Sequence, residues 1–394
     1  MTLDRREFLG AAAALPGTAA LPPAPAAERD VYRELGVRPL VNAAGTYTTL
    51  SASLLPREVV EAMDSASRKY VNLVELQQAV GRRISALLGC EAALVTSGAA
   101  AALTLGTAAC VAGADRERIR RLPDTAGMRN EVLIQKSHRY GYDRAVRNVG
   151  VRLVEVETRE DVERAAAGGR VAMMLFYNRH DPLGAIKVEE FALLGKRLAI
   201  PTLNDAAADV PPASNLSRFT KMGYDLVAFS GGKGLRGPQC AGLLLGRKDL
   251  VEAAALHNNP HTDTIGRACK AAKEEIVGMW AALERYLKLD HDAVWKDWER
   301  RCHAVAALVG EVPGVKTETF VPPIANAVPH LRVTWDEAAR GLRPADVMRL
   351  LRESEPRIEL RPEAVSGVEV SVWTLEPGEE EVVGRRLRDV LRKP

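Results

Sequence analysis

Cysteine is scarce in this 394-residue chain, with Cys90, Cys110, Cys240, Cys269 and Cys302 the only five. They are scattered and odd in number, with neither metal-ligand spacing nor the pattern of a disulfide framework, so they read as small buried hydrophobes and no metal is expected. No basic block is present either. The 54 Lys and Arg are interspersed with 51 Asp and Glu for a net charge of +3, which argues against nucleic acid as a partner. No stretch reaches the ~18 apolar residues of a membrane helix, so stable membrane association is not expected. Internal repeats are missing, and low complexity is confined to the amino terminus. What is left, 47% hydrophobic and 27% charged residues, is the composition of a soluble globular protein. The length exceeds one typical core and predicts two domains, one large and one small.

The first 26 residues read as an export signal rather than as fold. Arg5-Arg6 and Phe8 precede the short, weakly apolar run Gly10 to Leu21, and Ala24-Pro25-Ala26 offers a cleavage site. That order matches a twin-arginine signal, with the twin-arginine machinery as a partner and a periplasmic or exported destination. The expected division is a signal at 1–26, an amino-terminal segment at 27–55, a large domain at 56–266, and linker helices with a small domain at 267–394.

From Val31 to Val41 the chain reads as an entry segment, and Asn42 to Thr46 as a small-residue loop that lets a ligand or another backbone come close. Pro56 predicts a helix start, running to about Tyr70. Asn72 caps the next helix and Gly89 closes it. Strands are expected at 91–95, 131–135, 151–156, 171–176, 202–203 and 225–229. Helices at 159–167 and 188–198 alternate with them, the rhythm of a mostly parallel α/β sheet that binds ligands at its carboxyl strand ends. After Gly246 the chain turns helical from Arg267 to Val309. An α+β stretch follows, with strands at 315–320, 330–335, 357–360 and 368–373 and helices at 344–353 and 379–392.

The expected strand ends carry the chemistry. Ser230-Gly231-Gly232-Lys233-Gly234 holds a lone lysine on a glycine-dense turn between two apolar runs. A lysine near a core costs desolvation unless its amine is used, and a desolvated amine suits a Schiff base. A solvated turn lysine is the plain alternative. Thr96-Ser97-Gly98-Ala99 lies between a strand and an alanine-rich helix, the arrangement that offers free N–H groups to a phosphate. Together the parts describe a pyridoxal 5′-phosphate (PLP) site. Lys233 would form the internal aldimine, Asp205 would sit against the pyridine nitrogen and keep it protonated, and His138 would stack on the ring. Thr96, Ser97, Gly98, Ala99 and Ser230 would hold the phosphate. A helix cap for Asp205 and a surface histidine for His138 stay open.

The chain resembles the selenocysteine synthase-like branch of fold-type I PLP enzymes, those with the aspartate aminotransferase fold. The matching stretches run from Val41-Asn42-Ala43-Ala44-Gly45-Thr46 through Glu75-Leu76-Gln77, Glu91 to Ala101, His138-Arg139 with Tyr142-Asp143, and Asn204 to Ala208, to Ser230 to Gln239. Arg121 to Thr125, Met128 to Val132 and the helix at Glu58–Met63 are similar to the D-glucosaminate-6-phosphate ammonia-lyase-like members. The resemblance implies a large domain with a mostly parallel sheet, a smaller α+β domain and at least a homodimer. It further implies an enzyme acting on an amino acid or amino-sugar acid through an external aldimine and α-carbanion, an ammonia-lyase-type α,β-elimination first. Racemase, aminotransferase and seryl-tRNA selenium transferase chemistry are the alternatives. Arg236, beside the lysine turn, is expected to grip the substrate carboxylate, with Arg361 as runner-up. The loop Tyr47 to Ser53 departs from the glycine-containing loop of the ammonia-lyase-like members, so their substrate is not carried over.

Overall fold

In the computed structural model, residues 29–362 and 364–392 are described. The export signal expected at 1–26 lies outside them. Two units result, residues 1–39 and 40–394. The described part of the first contains one short helix, Val31–Glu34, capped by the Asp30 carboxylate on the Arg33 N–H. Everything below concerns the second unit.

The strands are β1 (Leu40–Ala43), β2 (Ala92–Thr96), β3 (Glu131–Gln135), β4 (Arg152–Val156), β5 (Val171–Tyr177), β6 (Thr202–Asp205), β7 (Leu226–Ser230), β8 (Gly242–Gly246), β9 (Lys316–Phe320), β10 (His330–Thr334), β11 (Arg357–Leu360) and β12 (Val368–Ser371). Seven of them form the main sheet in the order β2-β8-β7-β6-β5-β3-β4. β7, β6, β5, β3 and β4 run parallel, and β8 is antiparallel to both neighbours. The runs of β5, β7 and β8 are apolar at nearly every position because helices cover both faces. On one face lies the helix Gly98–Ala112, buried almost throughout. Gly106 lets it approach, since a Cβ there would stand 2.6 Å from Leu203 Cδ1. On the other face Phe176, Phe191, Phe219 and Phe229 fill a second core with Met279 of the helix Lys273–Leu287. This is the expected α/β architecture with a mostly parallel sheet.

A third core joins the carboxyl-terminal elements. The antiparallel sheet β9–β10–β12 and the helices His291–Gly310, Pro344–Glu353 and Glu379–Leu391 pack around Val305, Leu331, Val347 and Leu387. Two expectations change here. The segment Leu40–Ala43, expected as entry segment and loop, is a strand pairing parallel with β11, so the amino-terminal end of this unit belongs to the small layer. The helical stretch expected over 267–309 begins only at Lys273 and breaks at Lys288–Asp290, where Asp290 caps a new helix. The helix before the break packs on the main sheet and the one after it on the third core, so the cores divide within the helical stretch. The helix begun at Pro56 ends at Ser67, short of Tyr70. Among the described residues no helix is long and apolar enough to cross a membrane.

Candidate active site

Lys233 sits in the turn joining β7 to β8, and backbone bonds close that turn on itself. Gly231 N–H donates to Ala241 O at 2.8 Å, Gly237 N–H to Gly231 O at 2.8 Å, and Arg236 N–H to Lys233 O at 2.9 Å. Gly234 is required, because any Cβ there would strike the Val210 carbonyl in the segment that follows β6. The turn is thereby pressed against the chain that carries Asp205. Asp205 is 3% exposed and ends β6. It accepts the Tyr140 hydroxyl on one oxygen and the Ala207 N–H on the other. Burial pushes its pKa up, while the two donors and the nearby Lys233 charge pull it back. Burial likewise lowers the Lys233 amine, opposed by the charges of Asp205 and Asp209. Lysine and carboxylate thus hold each other's charge in a dry setting.

The side expected to hold a phosphate is equally well defined. Thr96, Gly242 and Ser230 occupy one rung of the sheet, since Gly242 pairs with both. Gly242 abuts the turn into the helix, where a Cβ would lie 2.5 Å from the Gly98 carbonyl carbon and 2.8 Å from Ala99 N. Thr96 is fully buried and its hydroxyl donates to Gly98 O at 2.9 Å, holding that turn. Gln77 braces the strand before it by hydrogen bonds to both polar backbone atoms of Val95. Ser97 stands at the cap without a capping bond, beside Gly98 and Ala99, so the first-turn N–H groups face the strand ends. The five residues expected to hold a phosphate are brought together.

His138 is placed otherwise than expected. It is fully buried, edge-on to Phe176 with ring centroids 4.5 Å apart, and accepts Tyr177 N–H on Nδ1 at 3.3 Å. Gln135 closes on Nε2 at 3.2 Å. Burial lowers its pKa to about 4, helped by His180 and Lys187. A ring so enclosed has no free face for stacking. The aromatic surface beside Asp205 is instead Tyr140, stacked on Tyr177 at 3.9 Å and 13°. Sequence reading also missed Asp209. It is 3% exposed, accepts Asn178 Nδ2 at 2.9 Å, and its pKa is pushed up to about 6, first by burial and further by Asp205. The pattern Asp205-Ala206-Ala207-Ala208-Asp209 was the signal available.

Lys233 opens onto a cleft of about 390 Å³. Thr46, Ser53 and Leu54 contribute to its wall. Ser53 donates to Gly232 O at 2.7 Å, Arg236 Nε to Leu54 O at 2.9 Å, and Gln239 to Thr48 O at 2.9 Å, lacing residues 48–54 onto the lysine turn. Arg236 lines the cleft from a left-handed backbone (φ +54°), 3.4 Å from Glu376. Arg361 does not line it. It lies 3.1 Å from Glu369 and 3.3 Å from His330 in the small layer. Arg285 and Arg301, which the amphipathic helices did not single out, do line it.

PLP fits these residues. A half-buried amine, a buried carboxylate for a cationic ring nitrogen, and a helix N-terminus flanked by Ser97 and Ser230 are the donor set that its aldehyde, pyridine and phosphate require.

Comparison with known proteins agrees. The SelA family model, described as L-seryl-tRNA selenium transferase, matches residues 40–296. A 5'-C-glycyluridine monooxygenase-decarboxylase of Streptomyces sp is 31% identical, over 91% of this chain and 92% of its own length. A D-glucosaminate-6-phosphate ammonia lyase of Salmonella typhimurium is 28% identical, over 92% and 98%. A solved structure of D-glucosaminate-6-phosphate ammonia-lyase superposes with a TM-score of 0.80, covering 93% of this chain and 99% of that one. A serine palmitoyltransferase from S. paucimobilis with PLP and myriocin shares the fold, at a TM-score of 0.56 and 12% identity.

Proposed function

The chain belongs to the SelA family and is a PLP-dependent enzyme, and on that premise we propose that it is a lyase releasing ammonia from an α-amino acid or amino-sugar acid. The observation that carries the reading is the half-buried Lys233 amine, beside the charge of Asp205 and opening onto a cleft lined by guanidinium groups. When bound, PLP supplies an electron sink for charge developing at the substrate α-carbon. The protein's groups do the rest. Asp205 holds the proton at the ring nitrogen, and the Tyr140 hydroxyl and Ala207 N–H favour its ionised form. The helix N-terminus at Gly98–Ala99, with Ser97 and Ser230, holds the phosphate. Lys233, with its ammonium form disfavoured by burial, takes the α-proton as general base. Arg236 orients the carboxylate. Loss of a β-hydroxyl as water, followed by hydrolysis of the resulting enamine, yields ammonia and a 2-keto acid.

A second reading follows from the Streptomyces relative: oxidative decarboxylation of an α-amino acid, with dioxygen as co-reactant. Both readings need the same lysine and an α-amino acid substrate. A homodimer belongs to the proposal, supported by the exposed apolar side chains Val60, Tyr70, Val71 and Val74 on one short stretch.

Borohydride should fix one pyridoxyl group on the Lys233 peptide, read by mass, and Lys233→Ala should lose it. A label on another lysine would end the assignment. Amino acids and amino-sugar acids are then screened for ammonia, keto acid, carbon dioxide, dioxygen uptake and α-proton exchange. Ammonia with keto acid and no dioxygen uptake supports the lyase. Carbon dioxide with dioxygen uptake replaces it by the second reading, and exchange alone by a racemase.

A further inference from the structure

The cleft above Lys233 holds more cationic and donor groups than one carboxylate can use. Lys233, Arg236, Arg285 and Arg301 line it, against the single acid Asp297. Arg236 stands at the lysine turn. Arg285 and Arg301 come from the two helices on either side of the break at Lys288–Asp290. Asp297 is committed to Arg301, which donates to it from Nε at 2.7 Å and also reaches the Leu375 carbonyl. Arg285 Nε stands 3.5 Å from the exposed Glu58 carboxylate and, among the described residues, makes no hydrogen bond.

Three neighbours repeat that shortage. Tyr286 Oη, His291 Nε2 and Trp373 Nε1 are buried in the wall of the same cleft without partners. Tyr286 is only 5% exposed, so solvent does not replace the missing bond. Leaving a buried polar group unsatisfied is costly, and four in one wall is a cost that a bound group can remove. Polarity identifies that group. Arginine and tryptophan N–H only donate, so the missing partner is an acceptor. The first turn of the helix His291–Gly310 adds its positive end, since His291, Ala293 and Val294 also line the cleft.

We propose that this wall is a second anion subsite, and that the substrate is an amino acid with a distal carboxylate or phosphate held by Arg285 and Arg301 opposite the α-carboxylate at Arg236. The inference rests on the amino acid reading above, but ligand binding tests it without turnover.

The probes are butyrate, glutarate and 4-phosphonobutyrate, titrated calorimetrically into the PLP-loaded protein. At least one dianion should bind about tenfold or more tightly than butyrate, as one added charge-assisted contact implies. The better of the two names carboxylate or phosphate as the distal group. Arg285→Gln should erase most of that advantage and leave butyrate unchanged. Because Arg301 also braces Asp297 and Leu375, Tyr286→Phe is the second variant, with a smaller loss confined to the dianions. Equal affinity of all three probes overturns the subsite, and so does a dianion preference that survives both variants. Failure of the lyase reading would appear separately, as absence of ammonia from every amino acid tested while the dianion preference stands.

Discussion

Gly242→Ala tests the link between packing and cofactor affinity most directly. The new Cβ would stand 2.5 Å from the Gly98 carbonyl carbon and 2.8 Å from Ala99 N, and ordinary contact begins at 3.4 Å. The difference, 3.4 less 2.5, asks the helix start to retreat by about 0.9 Å. Both obstacles are backbone, so no side chain can rotate aside. Behind them the helix Gly98–Ala112 is buried and already seated on Leu203 through Gly106, leaving little room for retreat. Overpacking of this kind costs about 1–3 kcal/mol of stability. Its effect on PLP should be sharper. A hydrogen bond of ~2.9 Å stretched by that displacement leaves the useful range, and each lost bond to a charged group is worth about 1.5–3 kcal/mol, or roughly 10–100-fold in affinity. Titrating the apoprotein with PLP and with pyridoxal, followed by absorbance, separates the phosphate contribution. The variant should bind PLP at least about tenfold more weakly and pyridoxal nearly as well as the parent does. Gly310→Ala, with no heavy atom within 4 Å of its new Cβ, is the control and should change neither. An unchanged PLP affinity in Gly242→Ala, or equal losses for both ligands, would refute the assignment of this turn to the phosphate.

Two further substitutions probe the carboxylates. Tyr140→Phe keeps the stack on Tyr177 but removes the hydroxyl from Asp205, so the Asp205 pKa should rise and the acid limb of the kcat/KM–pH profile should move to higher pH. A superimposable profile would show that the hydroxyl does not tune Asp205. Asp209 has a folded pKa of about 6 against an ordinary 3.8, so between those values the folded protein binds more protons than the unfolded chain. Its contribution to stability therefore falls as pH rises from about 4 to 6 and stays low above, by up to roughly 3 kcal/mol. Asp209→Asn should remove that slope, and the difference between parent and variant denaturation free energies should grow in the variant's favour over this window. Parallel curves from pH 4 to 7 would contradict the burial-driven shift.

The cofactor half of the site was legible in the sequence for a topological reason. In a parallel sheet every strand delivers its last residue to the same edge, so Thr96, Asp205 and Ser230 converge once their apolar runs are recognised as strands. Lys233 stood out because it is a lone lysine on a glycine-dense turn between two apolar runs. Legibility failed where a side chain's direction depends on irregular backbone. Between His138 and Tyr140 the chain passes from one 3₁₀ turn toward another, and that passage decides which ring goes into the core and which meets Asp205. It also failed for β1, whose four residues are too few to show a period and whose partner begins only at Arg357.

The substrate half was hidden for a different reason, which bears on how the fold serves more than one reaction. Beyond Pro211 and the lysine turn, its walls come from three separate segments, Thr46–Leu54, Arg285–Arg301 and Trp373–Leu375, and no local pattern in any of them refers to the others. Arg285 and Arg301 sit on amphipathic helices where an arginine on the polar side is unremarkable. What gives them meaning is the break at Lys288–Asp290, which turns one helix off the main sheet and starts the next on the small layer, so that both arginines reach one cleft. A change at that break or in the loop laced to the lysine turn would re-aim the cations without disturbing Lys233, Asp205 or the helix N-terminus. The family can therefore keep one cofactor machinery while relatives about 30% identical over nearly the whole chain bear names as different as ammonia lyase and monooxygenase-decarboxylase. The proposed anion subsite places the choice of substrate in the cations on the helix wall more than in the cofactor residues.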